Sequence, residues 1–562
     1  MATPFMQLTP KQRYQKTCDA LWQDREGNGW DAHWKEIAMF LNPRAGLFNG
    51  DKPNNGKPKH HNIYDSTGLR ARRVLTAGMM SGHSSPARPF HRLKVPDEKL
   101  MKSQKVKVWL DQVTRMQREI WSKSNTYPML QKIYREVGSF GTAANFMEDD
   151  FENVIHHTTQ TVGEYAFGRN ERGKIDTIVR KLNMRLRDVV KKFGLENLSI
   201  ATRQAWENGN YYEWVKVNHI VQPREDRDQT KRDARNMRWE SCWWEPGNDF
   251  ENKMLRVSGY KRWPCLTPRW DTSSGDTYGE SPAMEVLGDC KQLMHEQMRK
   301  AQGIDYMTDP PVQVPTTYKE NQSSMFPGGK MFYDPAAGGA APIKNAREVN
   351  LNLQYLLEDI VDIRQRIDQG FFVDLFMMMS NIERSNVTAR EIAEKQEEKL
   401  IMLGPVIANL DDEVLVPLID FTFDRMVETN IIPTPPPELN GMPLQVEFIG
   451  VLSQAQRAVG IGSVDRLIGT IYSIAQAKPE ALDKLNVDAI IDDYADMLNV
   501  NPEYIVANEE VAIVRAQRAQ AAQQQQQMAA MQPMADAAKT ASETNVTQPS
   551  ALTNLMGYST LQ

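Results

Sequence analysis

The sequence predicts an α+β protein that is mainly α-helical, and three patterns lead to that fold class. Apolar residues recur at helical spacing along residues 10–41. A longer pattern from Arg347 to about Phe376 steps by four and three residues, which predicts a helix of roughly 45 Å. Between two further helical patterns, Asn197–Glu207 and Ser281–Gln302, the chain alternates as strands do. We therefore expect long helices combined with a smaller β insert.

Helices and polar turns alternate in the N-terminal part. The first helical pattern ends at Asn42-Pro43, because a residue before proline disfavours the helical conformation. A loop rich in Pro, Gly and Asn follows at residues 49–62. Helical patterns return at about Ser66–Ser81 and Asp97–Ser122, and short β-branched and aromatic stretches at Phe140–Thr161 predict small antiparallel strands.

The β insert begins after a helix predicted from Leu182 to Glu207. Tyr211–Val221 alternates as a strand should, and two further strand patterns follow at Arg238–Trp244 and Lys253–Tyr260. The charged segment Pro223–Asn236 separates the first strand from the second. The order helix, β insert, helix is thus a prediction of the sequence.

The C-terminal part is predicted to be helical and then disordered. A helix runs from Thr388 to about Thr429, Pro433–Pro437 forms a rigid linker, and Pro479 separates later helices. Beyond Val511 an Ala/Gln-rich segment has strong helix propensity, whereas roughly the last thirty residues have a disordered composition.

Composition is that of an ordinary soluble protein, and its charge is unevenly distributed. The 562 residues are 41% hydrophobic and 25% charged, with a formal net charge of −5. Residues 44–107 contain 14 basic and 4 acidic residues, whereas residues 475–513 contain 9 acidic and 2 basic ones. Either the two regions serve different partners, or both are mixtures of solvated faces.

The cysteines and the apolar runs indicate a reduced, non-membrane protein. Cys18, Cys242, Cys265 and Cys290 lie far apart without metal-ligand spacing, which favours structural thiols in a cytoplasmic setting. The N-terminus lacks the apolar core of a signal peptide, and no run approaches the length of a membrane-spanning helix. We expect synthesis in the cytoplasm and no membrane partner.

Motifs for nucleotide binding and nucleophilic catalysis fail on their spacing. Gly50–Lys57 resembles a phosphate-binding loop but has five intervening residues instead of four, and Pro58 replaces the required hydroxyl. Ala77–Ser85 places serines beside His83, yet it lacks Gly-x-Ser-x-Gly, and a helix end capped by Gly82 explains it better. No catalytic or cofactor-binding residue is predicted.

Metal and nucleic-acid motifs are equally weak. The pairs His60-His61 and His156-His157 lack a following metal-binding pattern, and Glu148-Asp149-Asp150 is better explained as an acidic turn than as a magnesium site. Aromatic and basic residues alternate near the second strand of the insert, where packing or subunit contact is favoured over nucleic-acid binding; they are Trp239, Trp243, Trp244, Arg232, Arg235 and Arg238. No metal site is predicted.

Several segments, in order, resemble the head-to-tail connecting (portal) proteins of podoviruses. The first is a helix that ends in a small-residue turn followed by Ser-Pro, a basic residue, Pro and an aromatic residue (Leu75–Leu93). His83 and His91 depart from the apolar or aromatic residues expected there. The further matching segments are Val217–Arg224, Arg269-Trp270 with Ser274–Leu293, Asp309-Pro310-Pro311, the helix ending in Phe371-Phe372, and Asn386–Glu398.

The resemblance implies a portal fold with wing, stem, clip and crown. It assigns 1–196 and 303–410 to the wing, 197–302 to stem helices around a β-rich clip at about 211–269, 411–510 to the crown, and 511–562 to a helical barrel and mobile tail, with a flexible tail as the alternative. It also implies a channel-facing tunnel loop at Met377–Asn386, with candidate residues Met378, Ser380, Asn381, Glu383 and Arg384. Candidate clip contacts are Arg224, Arg227, Arg232, Arg235, Trp243 and Trp244.

The resemblance further implies a virion protein at the capsid vertex and not an enzyme. Its expected partners are about twelve copies of itself, the terminase large subunit, a tail adaptor, and capsid and scaffolding proteins. Double-stranded DNA would pass through the channel without sequence specificity, which suits a near-neutral chain better than a strongly basic one. The alternatives are another phage ring adaptor or capsid-assembly protein and, with less support, a DNA-processing enzyme.

Overall fold

The structure is a computed structural model, and it describes most of the first 450 residues and a few short stretches after them. The described residues are 8–48, 56, 63–101, 103–231, 233–247, 253–273, 275–316, 324–334, 344–345, 353–382, 402–439, 441–450, 470–471, 473, 487–488, 490–491, 504, 506 and 510–525.

The chain forms two compact units. The first unit comprises Met1–Lys94, Gln112–Thr434 and Leu444–Ile468, and the second comprises Val95–Asp111, Pro435–Pro443 and Gly469–Gln562. Helices predominate among the described residues and small sheets accompany them, which confirms a mainly α member of the α+β class.

The described helices are given in chain order. They are α1 (Pro10–Gly27), α2 (Trp30–Leu41), α3 (Thr67–Gly82), α4 (Glu98–Met101), α5 (Gln104–Lys123), α6 (Thr126–Phe140), α7 (Leu186–Phe193), α8 (Ile200–Glu207), α9 (Pro282–Glu285), α10 (Leu287–Thr308), α11 (Leu353–Gly370), α12 (Val373–Ile382), α13 (402–410), α14 (Val416–Glu428) and α15 (510–525). A π-helical segment, Asp411–Leu415, joins α13 to α14.

The described strands form four small sheets. The strands are β1 (His91–Lys94), β2 (Ala144–Asp150), β3 (Val154–Gln160), β4 (Tyr165–Arg169), β5 (Ile175–Arg185), β6 (Trp214–Pro223), β7 (Trp239–Trp244), β8 (Arg256–Tyr260), β9 (Cys265–Leu266), β10 (Val312–Pro315), β11 (Lys330–Tyr333), β12 (Lys344–Asn345) and β13 (Gln445–Phe448). Their orders are β1-β13, β11-β10-β12, β3-β2-β9 and β4-β5-β6-β7-β8.

The predicted helix over residues 10–41 is two helices. Thr9 caps α1, because its hydroxyl accepts the amide of Gln12 and the Gln12 side chain accepts the amide of Thr9. The chain then turns at Gly29, whose φ of 83° is in the left-handed region that glycine adopts without steric cost. Continuous apolar spacing does not reveal a turn this short.

Both faces of the five-stranded sheet are covered. One face packs on α1 through a cluster of Cys18, Trp22, Ala166, Val179, Ile220, Cys242 and Trp244. The other packs on α7 through a cluster of Leu186, Val189, Phe193, Leu198, Val217, Trp243 and Leu255. Successive side chains of a strand point to opposite faces, so the neighbours Trp243 and Trp244 belong to different clusters.

The predicted β insert is part of this larger sheet. Leu182 pairs with Val217 across β5 and β6, so the sheet crosses the predicted border at residue 196. The helix predicted over Leu182–Glu207 is wrong at its start, because β5 continues to Arg185 and two short helices, α7 and α8, follow it. Pairing with β6 outweighs the local helical pattern at these residues.

The long helix predicted over Arg347–Phe376 is interrupted. The structure has α11 and α12 separated at Phe371-Phe372, where Phe372 has a φ of 54°. Gly370 packs so closely on Val286 that a Cβ would not fit, and Gly78 of α3 packs as closely on Phe376. The break lets α12 turn onto α3, although the apolar spacing continues across it.

The later helical predictions are confirmed where the structure describes them. Residues 402–428 are helical, but with the π segment between α13 and α14, and residues 510–525 form α15. No described helix is both long enough and apolar enough to cross a bilayer.

Candidate functional site: the α10–α11 hairpin

An antiparallel pair of helices carries a small sheet at one end. α10 leads into β10–β12, and the chain returns as α11, which packs on α10. Asp289 near the start of α10 lies 3.6 Å from Arg366 near the end of α11. Burial and the facing Asp359 carboxyl both raise the pKa of Glu296, which places these two acids opposite each other midway along the helices. We call α10 and α11 the hairpin and the sheet β10–β12 its tip.

The carboxylate of Asp65 attaches the hairpin to the rest of the first unit. Asp65 precedes α3 and accepts hydrogen bonds from the Thr67 amide (2.8 Å) and the Thr67 hydroxyl (2.6 Å). It also accepts from Gln297 of α10 (2.9 Å) and from Arg364 of α11 (2.7 and 3.1 Å). Burial raises the pKa of this carboxyl, but the hydrogen bonds from Thr67 and Arg364 outweigh burial, so the pKa is lowered.

The hairpin exposes large apolar side chains away from this attachment. Ile304 and Met307 of α10 are exposed, as are Leu357 (43%), Val361 (59%) and Tyr355 (71%) of α11. The buried face of α11 is formed instead by Ile360, Ile363 and Ile367. Apolar residues on both a buried and an exposed face indicate that the hairpin has further contact partners.

The tip has an exposed apolar turn. Met325 (55%) and Phe326 (76%) are exposed before β11. The turn is tightly built, because Gly328 has a φ of 70° and a Cβ on Gly329 would lie 2.6 Å from the Ser324 carbonyl oxygen. β10 pairs in parallel with β11 and antiparallel with β12, and within the described residues neither outer strand has a second neighbour. The tip therefore offers apolar side chains and strand edges together.

The predicted clip contacts lie elsewhere, and half of them are not surface residues. Trp243 is 4% exposed and Trp244 is fully buried, so both are core residues and their prediction as exposed contacts is wrong. Arg224 is also nearly buried, since it donates to the Ser258 carbonyl (3.0 Å) and lies 3.8 Å from Glu240. Arg227 and Arg235 are exposed, and Arg232 lies outside the described residues.

Two exposed aromatic residues at the start of β6 were not among the contacts predicted from the sequence. Trp214 at the start of β6 is 39% exposed and has the Arg185 guanidinium 3.9 Å above its ring, and Tyr212 is 64% exposed. Their position beside the polar turn Asn208-Gly209-Asn210 is the signal that distinguishes them from the buried tryptophans.

The candidate tunnel-loop residues divide between a helix and residues without a description. Met378, Ser380 and Asn381 belong to α12, which continues to Ile382 instead of ending near Phe376. The prediction that residues 377–382 form a loop is therefore wrong, because they are helical; whether they face a channel stays a prediction. Glu383 and Arg384 lie outside the described residues.

The acidic and histidine residues considered as possible metal ligands make other contacts. Asp149 pairs with Arg425 at 2.8 Å, Glu148 lies 3.6 Å from Lys192, and Asp150 accepts the amide of Glu152 within its turn. His157 is buried, and burial followed by the charge of His156 lowers its pKa to about 3. Among the described residues, no group of three His, Cys, Asp or Glu side chains is arranged to hold a metal ion.

The thiols are buried and unpaired with one another. Cys18, Cys242, Cys265 and Cys290 are free cysteines, as predicted. Burial raises the pKa of Cys18 to about 11 and of each of the other three to about 12, so the thiols stay protonated and unreactive near neutral pH.

The sequence is similar to known phage proteins along nearly its whole length. Residues 11–506 match the profile of the family "Bacteriophage head to tail connecting protein". The chain is 48% identical over 492 residues to the "Probable portal protein" of Bordetella phage BPP-1, with 88% of each chain covered. It is 42% identical over 549 residues to the "Portal protein" of Salmonella phage epsilon15, with 98% of each chain covered.

A solved chain titled "Virion of native gene transfer agent (GTA) particle" aligns at 10% identity and a TM-score of 0.33, over 77% of this chain and 94% of that one. A TM-score this low carries no argument about the fold. The profile match and the two relatives carry the assignment. The chain belongs to the family of bacteriophage head-to-tail connecting proteins.

Proposed function

We propose that this head-to-tail connector acts as a closed ring of about twelve copies at the capsid vertex, through which double-stranded DNA enters and leaves. Family membership and the portal proteins among its relatives support this proposal. A net charge of −5 on 562 residues also fits a conduit, because each phosphate that a protein neutralises adds affinity and slows release. Assembly would take place in the host cytoplasm, with capsid and scaffolding proteins as further partners.

The hairpin and its tip are the better candidates for the stem and the clip. The proposed stem is α10 with α11, and the proposed clip is the tip between them, in place of the earlier boundaries 197–302 and 211–269. Within the part of the chain that the structure describes, the hairpin alone has the order helix, small sheet, helix with both helices packed on each other. The earlier clip residues belong to a sheet covered on both faces.

The exposed charges of the hairpin suit contact between neighbouring copies. Arg299 is exposed on α10, whereas Glu358 and Asp362 are exposed on α11. If α10 of one copy packs on α11 of the next, opposite charges meet around an apolar centre. Such a contact joins two different surfaces, and a contact of this kind closes into a ring when the rotation between copies allows it.

The tip is the proposed binding site for the terminase large subunit and later for the tail adaptor. Exposed apolar and aromatic side chains at the end of a rigid turn are typical anchors in protein interfaces, and Met325 with Phe326 meets that description. Motor activity would belong to terminase. Of the acidic residues considered for a nuclease, Glu148 pairs with Lys192 and Asp149 with Arg425.

The proposals for the crown and C-terminus concern residues that are mostly outside the described set. The described part of the Ala/Gln segment, α15, has exposed side chains, and Arg515 pairs with Asp488 at 2.6 Å. Isolated Ala-rich helices are marginal in water, so packing of α15 against its copies in a barrel would stabilise it. The predicted tail, Ala541–Gln562, lies outside the described residues.

Ring formation is tested by particle mass. Wild-type protein should form particles of about twelve 64.2 kDa chains in mass photometry. Ile304→Asp combined with Val361→Asp should leave the chain folded, since both side chains are exposed, but shift it to monomer by burying charge at the copy contact. Phe151→Asp, at an exposed turn outside the hairpin, should still form rings. Monomeric wild-type protein, or rings from the double variant, would contradict the proposal.

The clip assignment is tested by binding of the purified terminase large subunit to rings. Met325→Ser with Phe326→Ser should leave rings intact and weaken binding at least about tenfold, as for loss of an interface anchor. Arg227→Ala with Arg235→Ala, in the earlier clip, is the matched control and should bind normally. If the arginine variant lost binding and the Met325/Phe326 variant bound normally, the clip would instead be at residues 211–269, as first predicted.

A further inference from the structure

The helix between residues 402 and 428 contains one more residue than a regular α-helix would need. At the π segment Asp411–Leu415 the Val416 amide donates to the Asp411 carbonyl, five residues back instead of four. Pro417 follows immediately, and because proline has no N–H, the Glu413 carbonyl has no α-helical donor. The location of the π segment thus has a cause in the sequence.

Two polar contacts hold this segment from outside its own helix. Asp411 lies 2.7 Å from Nε2 of His83, which is 1% exposed at the end of α3. Glu413 binds Arg269 through three contacts, namely the Arg269 amide (2.8 Å), Nε (3.1 Å) and Nη2 (2.5 Å). Nε and Nη2 both donate to Oε1 while the amide donates to Oε2, so both oxygens of the carboxylate are held and its orientation is fixed.

Further hydrogen bonds fix both contacts. Nδ1 of His83 lies 3.0 Å from the Tyr134 hydroxyl, which lies 2.8 Å from the Ser84 hydroxyl, so each polar atom of this buried chain has a partner. The Trp270 carbonyl accepts the Asn409 amide group of α13 at 3.4 Å. The two signature segments around His83 and Arg269-Trp270 therefore meet at one feature of the fold.

α14 and α13 are attached differently. α14 has directional contacts with other elements, since Thr422 accepts Trp121 Nε1 (2.9 Å), Asp424 pairs with Arg262 (2.7 Å) and Glu428 with Lys261 (2.6 Å). α13 has the one longer hydrogen bond from Asn409 to the Trp270 carbonyl described above, and its buried side chains, such as Leu403 and Leu410, are apolar and make contacts that are not directional. The orientation of α13 therefore depends on the π segment more than the orientation of α14 does.

We propose that His83 and Arg269 are positioning residues that hold the π segment, and through it set the direction of α13 relative to α14. One residue of an α-helix corresponds to about 100° of rotation and about 1.5 Å of rise, so loss of the extra residue turns α13 by that amount relative to α14. The inference rests on the proposed function as a DNA conduit, because α13 is the first described element after the candidate tunnel loop in the sequence.

Deletion of Asp412 is the direct test, because this exposed residue lies inside the π segment between the two contacting acids. Deletion should restore a regular helix, keep the rings, and lower nuclease-protected DNA per particle about tenfold. Asp412→Ala keeps the helix length and should package as wild type does. Packaging by the deletion variant at the wild-type level would overturn the proposal.

Substitutions of the contacting acids test the proposal should the deletion variant fail to fold. Asp411→Asn with Glu413→Gln should raise hydrogen exchange of the amides at residues 402–416 in intact rings about tenfold, since bonds to charged groups are lost, and lower protected DNA. Thr422→Val is the matched control, because it removes a buried hydrogen bond of α14 without touching the π segment.

The control distinguishes positioning from general stability. Thr422→Val should lower the melting temperature of the rings without lowering protected DNA. Equal DNA loss in both variants at equal melting temperature would show a merely structural role and overturn the inference. Wild-type rings that package no DNA would instead refute the proposed function, whatever the variants do.

Discussion

The five-stranded sheet buries its large apolar side chains, whereas the hairpin leaves several of them exposed. The sheet has a helix on each face, and its tryptophans Trp243 and Trp244 are buried. The hairpin buries one face and exposes residues such as Tyr355 and Val361. The sheet is thus covered within one chain, whereas the hairpin leaves apolar side chains exposed, as the proposed contact between copies would require. In a ring-forming protein, incomplete burial marks a contact surface better than the presence of tryptophan and arginine does.

The largest expected effect tests whether the sheet is complete. Trp244→Ala should lower the free energy of unfolding by about 3–5 kcal/mol, because it leaves a cavity and removes the 2.6 Å hydrogen bond to Gln15. Trp214→Ala, in the same sheet but 39% exposed, should cost less than about 1 kcal/mol. Circular dichroism in urea measures both. Similar losses of unfolding free energy in both variants would contradict the assignment of Trp244 to the core and Trp214 to the surface.

The next effect concerns the attachment of the hairpin to α3. Asp65→Asn should cost about 2–3 kcal/mol, because it weakens a buried carboxylate bound by Thr67, Gln297 and Arg364. Asp368→Asn is the matched control, because Asp368 also joins α11 to α3, through the exposed Arg70, and should cost about 0.5 kcal/mol or less.

The stability that Asp65 contributes should also depend on pH. Because folding lowers the pKa of Asp65, its contribution is complete above the ordinary value of 3.8 and is lost as the pH falls below it. Asp65→Asn should lack this loss. A variant that still loses the same stability below pH 3.8 would show that other carboxyls cause it.

Buried histidines should make the body of the first unit acid-sensitive. His157 has a pKa of about 3 and His91 of about 4, both lowered first by burial, against 6.5 when unfolded. Below pH 6.5 the unfolded chain binds these protons and the folded chain does not, so each histidine lowers the unfolding free energy by about 1.4 kcal/mol per pH unit. His157→Gln should remove one such increment in urea titrations between pH 6 and 4. A variant whose stability falls with pH as steeply as that of the wild type would contradict this role of His157.

The smallest expected effect is the difference in stability loss between two arginines of the clip predicted from the sequence, Arg224 and Arg227. Arg224→Ala should cost about 1–2 kcal/mol, because the nearly buried guanidinium donates to Ser258 and leaves that carbonyl unpaired. Arg227→Ala should change stability by less than about 0.5 kcal/mol. Thermal melts of the two variants side by side measure the difference, and a larger loss for Arg227 would contradict the burial assigned to both.

Sequence by itself determined the fold class, the family and the helical character of most segments. Apolar spacing identifies an amphipathic helix locally, and several signature segments in order suffice for the family. Adjacent positions on a strand also dictate that Trp243 and Trp244 face opposite ways. Whether either face is covered depends on α1, more than 200 residues earlier, and on α7, so their burial could not be predicted from the strand.

Only the tertiary structure decided which helix–sheet–helix unit has its two helices packed on each other. Residues 211–260 and residues 309–345 both have strand-like sequence between helices, but β6 pairs with β5 and joins the body, whereas α10 and α11 pack on each other. The π segment is only partly encoded locally: Pro417 removes one helical donor, but the contacts of Asp411 and Glu413 come from His83 and Arg269, far away in sequence. Pairing partners distant along the chain decide such questions, and local pattern contains no information about them.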